Sequence, residues 1–221
     1  MTSSHAVRVS YHVPYTCQFA TPDLVADFLF DGCPLQTDPN WAASGANSPD
    51  EYAHWAMRSC GVVAVKMVVE GLGGPVRSVM DWVQAGLALD GYLTQLREER
   101  PVEVGWKHSV LAGLAQAYGL HAELLADVDL AAVAELIRAD RCFLASVSSE
   151  VGEGTEADTP ITRRNGHIVV VHGLVYDDDA ALTHLLLHNS SGRTPALRAD
   201  ARLPVARFAQ AFSGRGIAIG P

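Results

Sequence analysis

Basic residues are scarce in this 221-residue chain: 16 Lys and Arg stand against 25 Asp and Glu, and the net charge is −9. The closest approach to a basic cluster is the pair Arg163-Arg164. Nucleic acid and anionic membrane surfaces need clustered Lys and Arg to neutralise phosphate, so neither is expected as a partner. Long apolar runs are lacking too. No segment approaches the roughly 18–20 apolar residues needed to cross a bilayer. The opening "MTSSHAVRVSYHVPY" has no basic stretch followed by an apolar one, the pattern that directs secretion. The expectation is a cytoplasmic protein.

Cysteine is sparse. Cys17, Cys33, Cys60 and Cys142 are too few for a disulfide scaffold at this length, and none pair as C-x-x-C. In a reducing compartment they are thiols, and most thiols are small buried hydrophobes. The metal-binding spacings H-E-x-x-H, C-x-x-C and the EF-hand loop are absent, so neither metal nor cofactor is expected, although His54, His108, His121, His172, His184 and His188 are potential ligands. What the chain does have is apolar residues, 48% of the total, enough to bury one substantial core. A single domain over 1–221 is expected.

The pattern along the chain reads as helices first and sheet second. "RVSYHVPY" alternates as a short edge strand, and a loop-rich stretch follows, with "PDLVADFLF" and "SPDEYAHWAMRS" as short helices, the latter capped by Ser48 with Glu51 three residues on. "CGVVAVKMVVEG" is apolar nearly all round, which predicts a buried central helix ended by Gly71 to Gly74 and Pro75. "VRSVMDWVQAGLAL", "GWKHSVLAGLAQAYGL" and "DLAAVAELIRAD" read as further helices. After them come the strand "RCFLASVS", a polar loop over 149–165, and the hairpin "HIVVVHGLVYD" and "LTHLLLHN". A helix "PVARFAQAFS" and a strand "GIAI" close the chain. The fold class is α+β with an antiparallel sheet.

Cys60 opens the central helix. There a thiol meets unsatisfied N–H groups and the positive end of the helix dipole, which favour the nucleophilic thiolate; a small core residue that happens to start a helix is the competing reading. A thiol nucleophile needs a base, and the base needs an orienting group. His167 begins an apolar strand directly after Asn165-Gly166, and Asn189 ends the paired strand 22 residues later (189 − 167). A hairpin brings such ends to one rim of a sheet. A surface histidine and a turn-forming asparagine are the plainer alternatives, and His172 or His188 are rival bases.

Taken in order, "VPYTCQ", "CGVVAVKMVVEGLG", "GWKHSVLAGLAQAYGL", "GHIVVVHGLVYD" and "LLLHNSSG" resemble the double-glycine leader peptidase-like cysteine peptidases. These are the peptidase domains of bacteriocin-exporting transporters and their stand-alone relatives, with a papain-like fold. The resemblance implies Cys60 as nucleophile, His167 as base and acid, Gln18 as side-chain donor to the oxyanion, and Asn189 as orienter of the imidazole. An aspartate is usual at that last position in the family. Gln18 lies 42 residues before Cys60 (60 − 18), so 19–59 holds an insertion of about 30 residues, whose Trp41, Tyr52 and Trp55 are candidate substrate contacts or core cover. The resemblance implies a peptide or peptidyl substrate. A stand-alone cysteine peptidase is the leading reading; an acyl transferase or peptide cyclase using the same Cys-His pair, and a non-catalytic peptide-binding domain, are the alternatives.

Overall fold

The computed structural model describes residues 4–97, 100–154, 161–162 and 166–221; the Arg163-Arg164 pair and Asn165 lie outside them. Side-chain caps mark three of the seven α-helix starts among the described residues. Ser48 accepts the Glu51 N–H to begin α2 (Pro49–Ala56) after the short α1 (Val25–Leu29). Ser78 and Asp81 form a reciprocal capping box on α4 (Val79–Ala88), and Asp129 caps α6 (Leu130–Arg138). The all-round apolar helix α3 (Cys60–Gly71) is buried without a break from Gly61 to Val69. At roughly 1.5–3 kcal/mol for each large apolar side chain removed from water, its five valines and Met67 make α3 a main contributor to stability.

Among the described residues the main sheet has seven antiparallel strands. Its path runs β4 (His121–Leu125), β9 (Phe212–Gly220), β5 (Cys142–Ser148), β6 (Gly166–Tyr176), β7 (Leu182–His188) and β8 (Ala201–Pro204), and β1 (His5–Arg8) pairs with the far end of β6. Strand β6 is long enough for two neighbours on one side: Gly166 to Val171 pair with β5, and Gly173 to Tyr176 pair with β1. Helix α3 packs on β6 and is flanked by α4 and α5 (His108–Gln116), while α7 (Val205–Ala211) packs on β7 and β8. Among the described residues no helix is long and apolar enough to cross a membrane.

Three details differ from expectation. The edge strand is His5–Arg8 and stops short of Tyr15, because the Ser10 N–H and hydroxyl turn to the Asp140 carboxylate. The helix expected from Gly105 starts at His108, since Gly105 (φ +116°) and Trp106 end a strand, β3 (Arg100–Trp106), paired with β2 (Tyr92–Arg97). Strand β4 fell between two helices and carried no alternation strong enough to mark it.

The stretch 19–59 builds a small core of its own. Phe19, Val25, Phe28, Tyr52 and Ala56 are buried together, with Leu24, Leu35 and Trp41 packed against them. The Tyr52 hydroxyl donates to Asp38 and accepts the Ala20 N–H, and Asp38 also bonds Thr21 and Asn40.

Candidate active site

Cys60 is the first residue of α3 and half-buried. The helix start lies close against its neighbours: a Cβ on Gly61 would stand 3.0 Å from Leu111 Cδ1 and 3.1 Å from Trp106, so glycine lets the chain approach there. Backbone N–H groups of Ile168, Gly61 and Cys60 favour the thiolate, as expected at a helix start. Burial is the larger effect, however, and pushes the thiol above its ordinary value. Against the expectation of a depressed Cys60 pKa, the balance between burial and the N–H donors favours the thiol over the thiolate.

His167 follows Gly166, whose φ of +102° a side chain would strain, and pairs with Val147 in the β5–β6 ladder. Asn189 is the first residue beyond β7, where Val170 faces His188. That register puts Asn189 diagonally across from His167 on the same face, within reach. Asn189 Oδ1 lies 2.7 Å from His167 Nε2, and both residues are buried. Because Oδ1 also accepts the Ser191 backbone N–H at 3.1 Å, it must be the oxygen, so Nε2 carries the imidazole proton and Nδ1 keeps the lone pair. Burial lowers the His167 pKa, and the bond to Asn189 only partly offsets it.

Gln18 is buried and anchored at three points. Its Nε2 donates to Ala56 O at 2.8 Å, its Oε1 accepts from Ser190 Oγ at 2.8 Å, and its backbone N–H donates to Ser190 O at 3.0 Å. Gln18 thus ties the end of α2 to the residue after Asn189. One Nε2 hydrogen remains beyond the bond to Ala56, although Gln18 itself does not line the cavity described next.

Cys60 and His167 line one cavity of about 760 Å³. Its apolar wall is made by Met57, Tyr92 and Trp106, and its polar wall includes Glu103, His108 and Arg215. Arg58 Nε, also in the lining, pairs with Glu103 at 2.7 Å. Burial, then the Arg215 charge, holds the His108 pKa low. The rival bases stand elsewhere: neither His172 nor His188 lines this cavity, and both ring nitrogens of His188 are engaged, by Val13 O and the Asp200 N–H.

The three aromatic residues of 19–59 have other places. Tyr52 belongs to the subsidiary core, Trp41 packs against it, and Trp55 lies behind the cavity wall, its ring centroid 5.4 Å from Tyr92 and 6.0 Å from Trp106. The aromatic side chains facing the cavity are Tyr92 and Trp106, from the β2–β3 hairpin. Apolar Tyr92, Leu93 and Trp106 at the ends of a charged stretch were the available signal. It was faint because the sequence between the two strands has no Gly or Asn of the kind that marks a tight hairpin.

Neither a family model nor a curated protein matches this sequence. Solved structures do. A putative C39-like peptidase from Bacillus anthracis superposes with a TM-score of 0.54 at 16% identity over 98% of both chains. The peptidase domain of Streptococcus ComA, a bi-functional ABC transporter of a quorum-sensing pathway, gives 0.46 at 15% identity, over 74% of this chain and 92% of that one. A double-glycine motif protease from an AMS/PCAT transporter, solved with its leader peptide, gives 0.43 at 15% identity, over 75% and 85%. The first of these shows a shared fold: an α+β, papain-like arrangement with an antiparallel sheet.

Proposed function

We propose that this chain is a cysteine peptidase that cleaves a peptide substrate through a Cys60 thioester, with His167 as base and acid and Asn189 as its orienter. The observation that carries the reading is the buried 2.7 Å bond between His167 Nε2 and Asn189 Oδ1, which leaves the lone pair of Nδ1 in a cavity that Cys60 also lines. A volume of about 760 Å³ suits a short peptide segment. The fold shared with a putative C39-like peptidase supports the same class.

The reaction starts from neutral partners, since burial raises the thiol and lowers the imidazole. Nδ1 takes the Sγ proton as Sγ attacks the peptide carbonyl carbon. The oxyanion is met by the Cys60 N–H and the remaining Nε2 hydrogen of Gln18. Collapse breaks the C–N bond, the imidazolium returns its proton to the leaving amine, and a thioester remains on Cys60. His167 then deprotonates a water that releases the acid. The reaction needs Cys60 as a reduced thiol, and all four cysteines are free thiols.

The test is a peptide-library digest read by mass spectrometry in H2(18)O, with wild type, Cys60→Ala and His167→Ala. The expected result is cleavage by wild type alone, with solvent oxygen in the new carboxylate. Cleavage that survives Cys60→Ala sinks the proposal. So does a wild type that cleaves nothing and forms no covalent adduct at Cys60 with a peptide electrophile.

A further inference from the structure

The strands that carry His167 and Asn189 to the cavity also bring together a second pair of histidines. Along the β6–β7 ladder Val171 faces Leu187 and Gly173 faces Leu186, so His172 is the extra residue of a β-bulge. Bulges re-aim side chains and are frequent beside functional sites. The His172 ring lies 4.3 Å from the ring of His188. A third group comes from outside the hairpin, in the turn before β8: His172 Nε2 is 3.4 Å from Asp200 Oδ1. One potential ligand atom from each of the three residues lies within 4.8 Å of the others. A small pocket of about 110 Å³ reaches His172 and Asp200 from the surface, and His12 and Arg8 line it.

One of these groups lacks a partner. His172 is 4% exposed, and its Nε2 makes no hydrogen bond among the described residues, its approach to Asp200 Oδ1 being 3.4 Å. An orphaned buried nitrogen is costly unless something binds it. We infer that His172, His188 and Asp200 form a binding site for one divalent transition-metal ion, zinc being the best match. In a tetrahedral zinc site, metal–ligand distances of about 2.0–2.2 Å put ligand atoms about 3.3–3.6 Å apart. The His172–Asp200 separation already has that value. The His188 Nε2–H bond to Val13 O is the outer-sphere contact that ligating histidines make, and it points Nδ1 inward. The metal takes the place of the Asp200 N–H that Nδ1 now accepts.

Arg8 holds the cation's place. Its Nη1 lies 2.6 Å from Asp200 Oδ1, with both side chains about half exposed. Such a pair is weak, and Arg8 swings to solvent when the metal enters. The site is separate from the Cys60 cavity: His172 is five positions, roughly 15 Å, along β6 from His167, and none of His172, His188 and Asp200 lines that cavity.

The experiment is equilibrium dialysis of the full chain against zinc, with Co(II) absorption as the reporter of ligand type. One equivalent is expected, and Co(II) should show ligand-field bands without a thiolate charge-transfer band, which excludes the four cysteines as ligands. His172→Ala should weaken uptake at least about 10- to 100-fold. Asp200→Asn, at an exposed position that does not threaten folding, should weaken it too, while Arg8→Gln should leave it equal or tighter. No uptake by wild type, a thiolate band, or uptake unchanged in Asp200→Asn would overturn the inference.

Discussion

Asn189 holds the imidazole of His167 through a neutral hydrogen bond, Nε2–H donating to Oδ1 at 2.7 Å, with an amide rather than a carboxylate as the acceptor. The amide fixes the ring and its tautomer but adds no charge to stabilise imidazolium. Replacing it separates the two roles. Asn189→Ala removes the acceptor and leaves a buried N–H unpaired, at about 1–3 kcal/mol, so kcat/KM should fall about 10- to 100-fold. Asn189→Asp should raise the His167 pKa and speed alkylation of Cys60 at neutral pH, measured by iodoacetamide labelling of each cysteine.

The pH profile follows from the neutral pair. The His167 pKa lies below 6.5, so kcat/KM should rise as the imidazole loses its proton and level off by neutral pH. Alkylation of Cys60 should keep rising with pH toward and beyond the ordinary thiol value of 9.0. Stability has the same sign. Unfolding returns His167 to 6.5, so its share of stability is present above that value and is lost as pH falls toward the folded pKa. Urea melts at pH 7.5, 6.5 and 5.5 in wild type and His167→Gln measure that share. A Cys60 labelling curve centred well below 9 would contradict the neutral pair.

Gln18→Ala should cost roughly 10²- to 10³-fold in kcat if its amide meets the oxyanion. Ser190→Ala provides the comparison, because it removes only the anchor on Gln18 Oε1 and should cost about tenfold or less. Equal losses in the two variants would assign Gln18 to scaffold alone.

A methyl group tests the position of Asn189 without touching its chemistry. A Cβ on Gly152 would stand 2.8 Å from Asn189 Nδ2, too close for contact, so Gly152→Ala must displace the amide. Activity should fall while the melting temperature changes by only a few degrees, corresponding to about 1 kcal/mol.

Within 19–59, Tyr52→Phe leaves Asp38, which is 1% exposed, with one bond fewer and the Ala20 N–H without its acceptor. A loss of about 1–3 kcal/mol is expected in this small core. Hydrogen exchange should rise there before it rises in α3, since the two sets of buried side chains form separate clusters.

The parts of the site that could be read in one dimension were those marked by punctuation. Cys60 follows a helix boundary, Gly166 announces a change of backbone before His167, and Asn189 ends an apolar strand before Ser-Ser-Gly. The caps at Ser48 and Asp129 were legible for the same reason: their chemistry is local. Tyr92 and Trp106 were not, because they become cavity wall only when β2 and β3 pair and lie against the start of α3. The state of the Cys60 thiol was hidden as well. Sequence shows the helix dipole beside it, whereas the burial that outweighs the dipole exists only after packing.

Gln18 has a last consequence. Its side chain bonds Ala56, 38 positions later, so the two ends of the intervening segment are fastened to each other before Cys60 is reached. What lies between is a closed detour with a core of its own. Its length is free to drift, as long surface loops grow at little cost. A search keyed to the spacing between glutamine and cysteine would pass over chains of this architecture, while one keyed to what each of the two residues touches would gather them. The same closure makes the segment a cassette that can be exchanged between such chains with both anchor points kept.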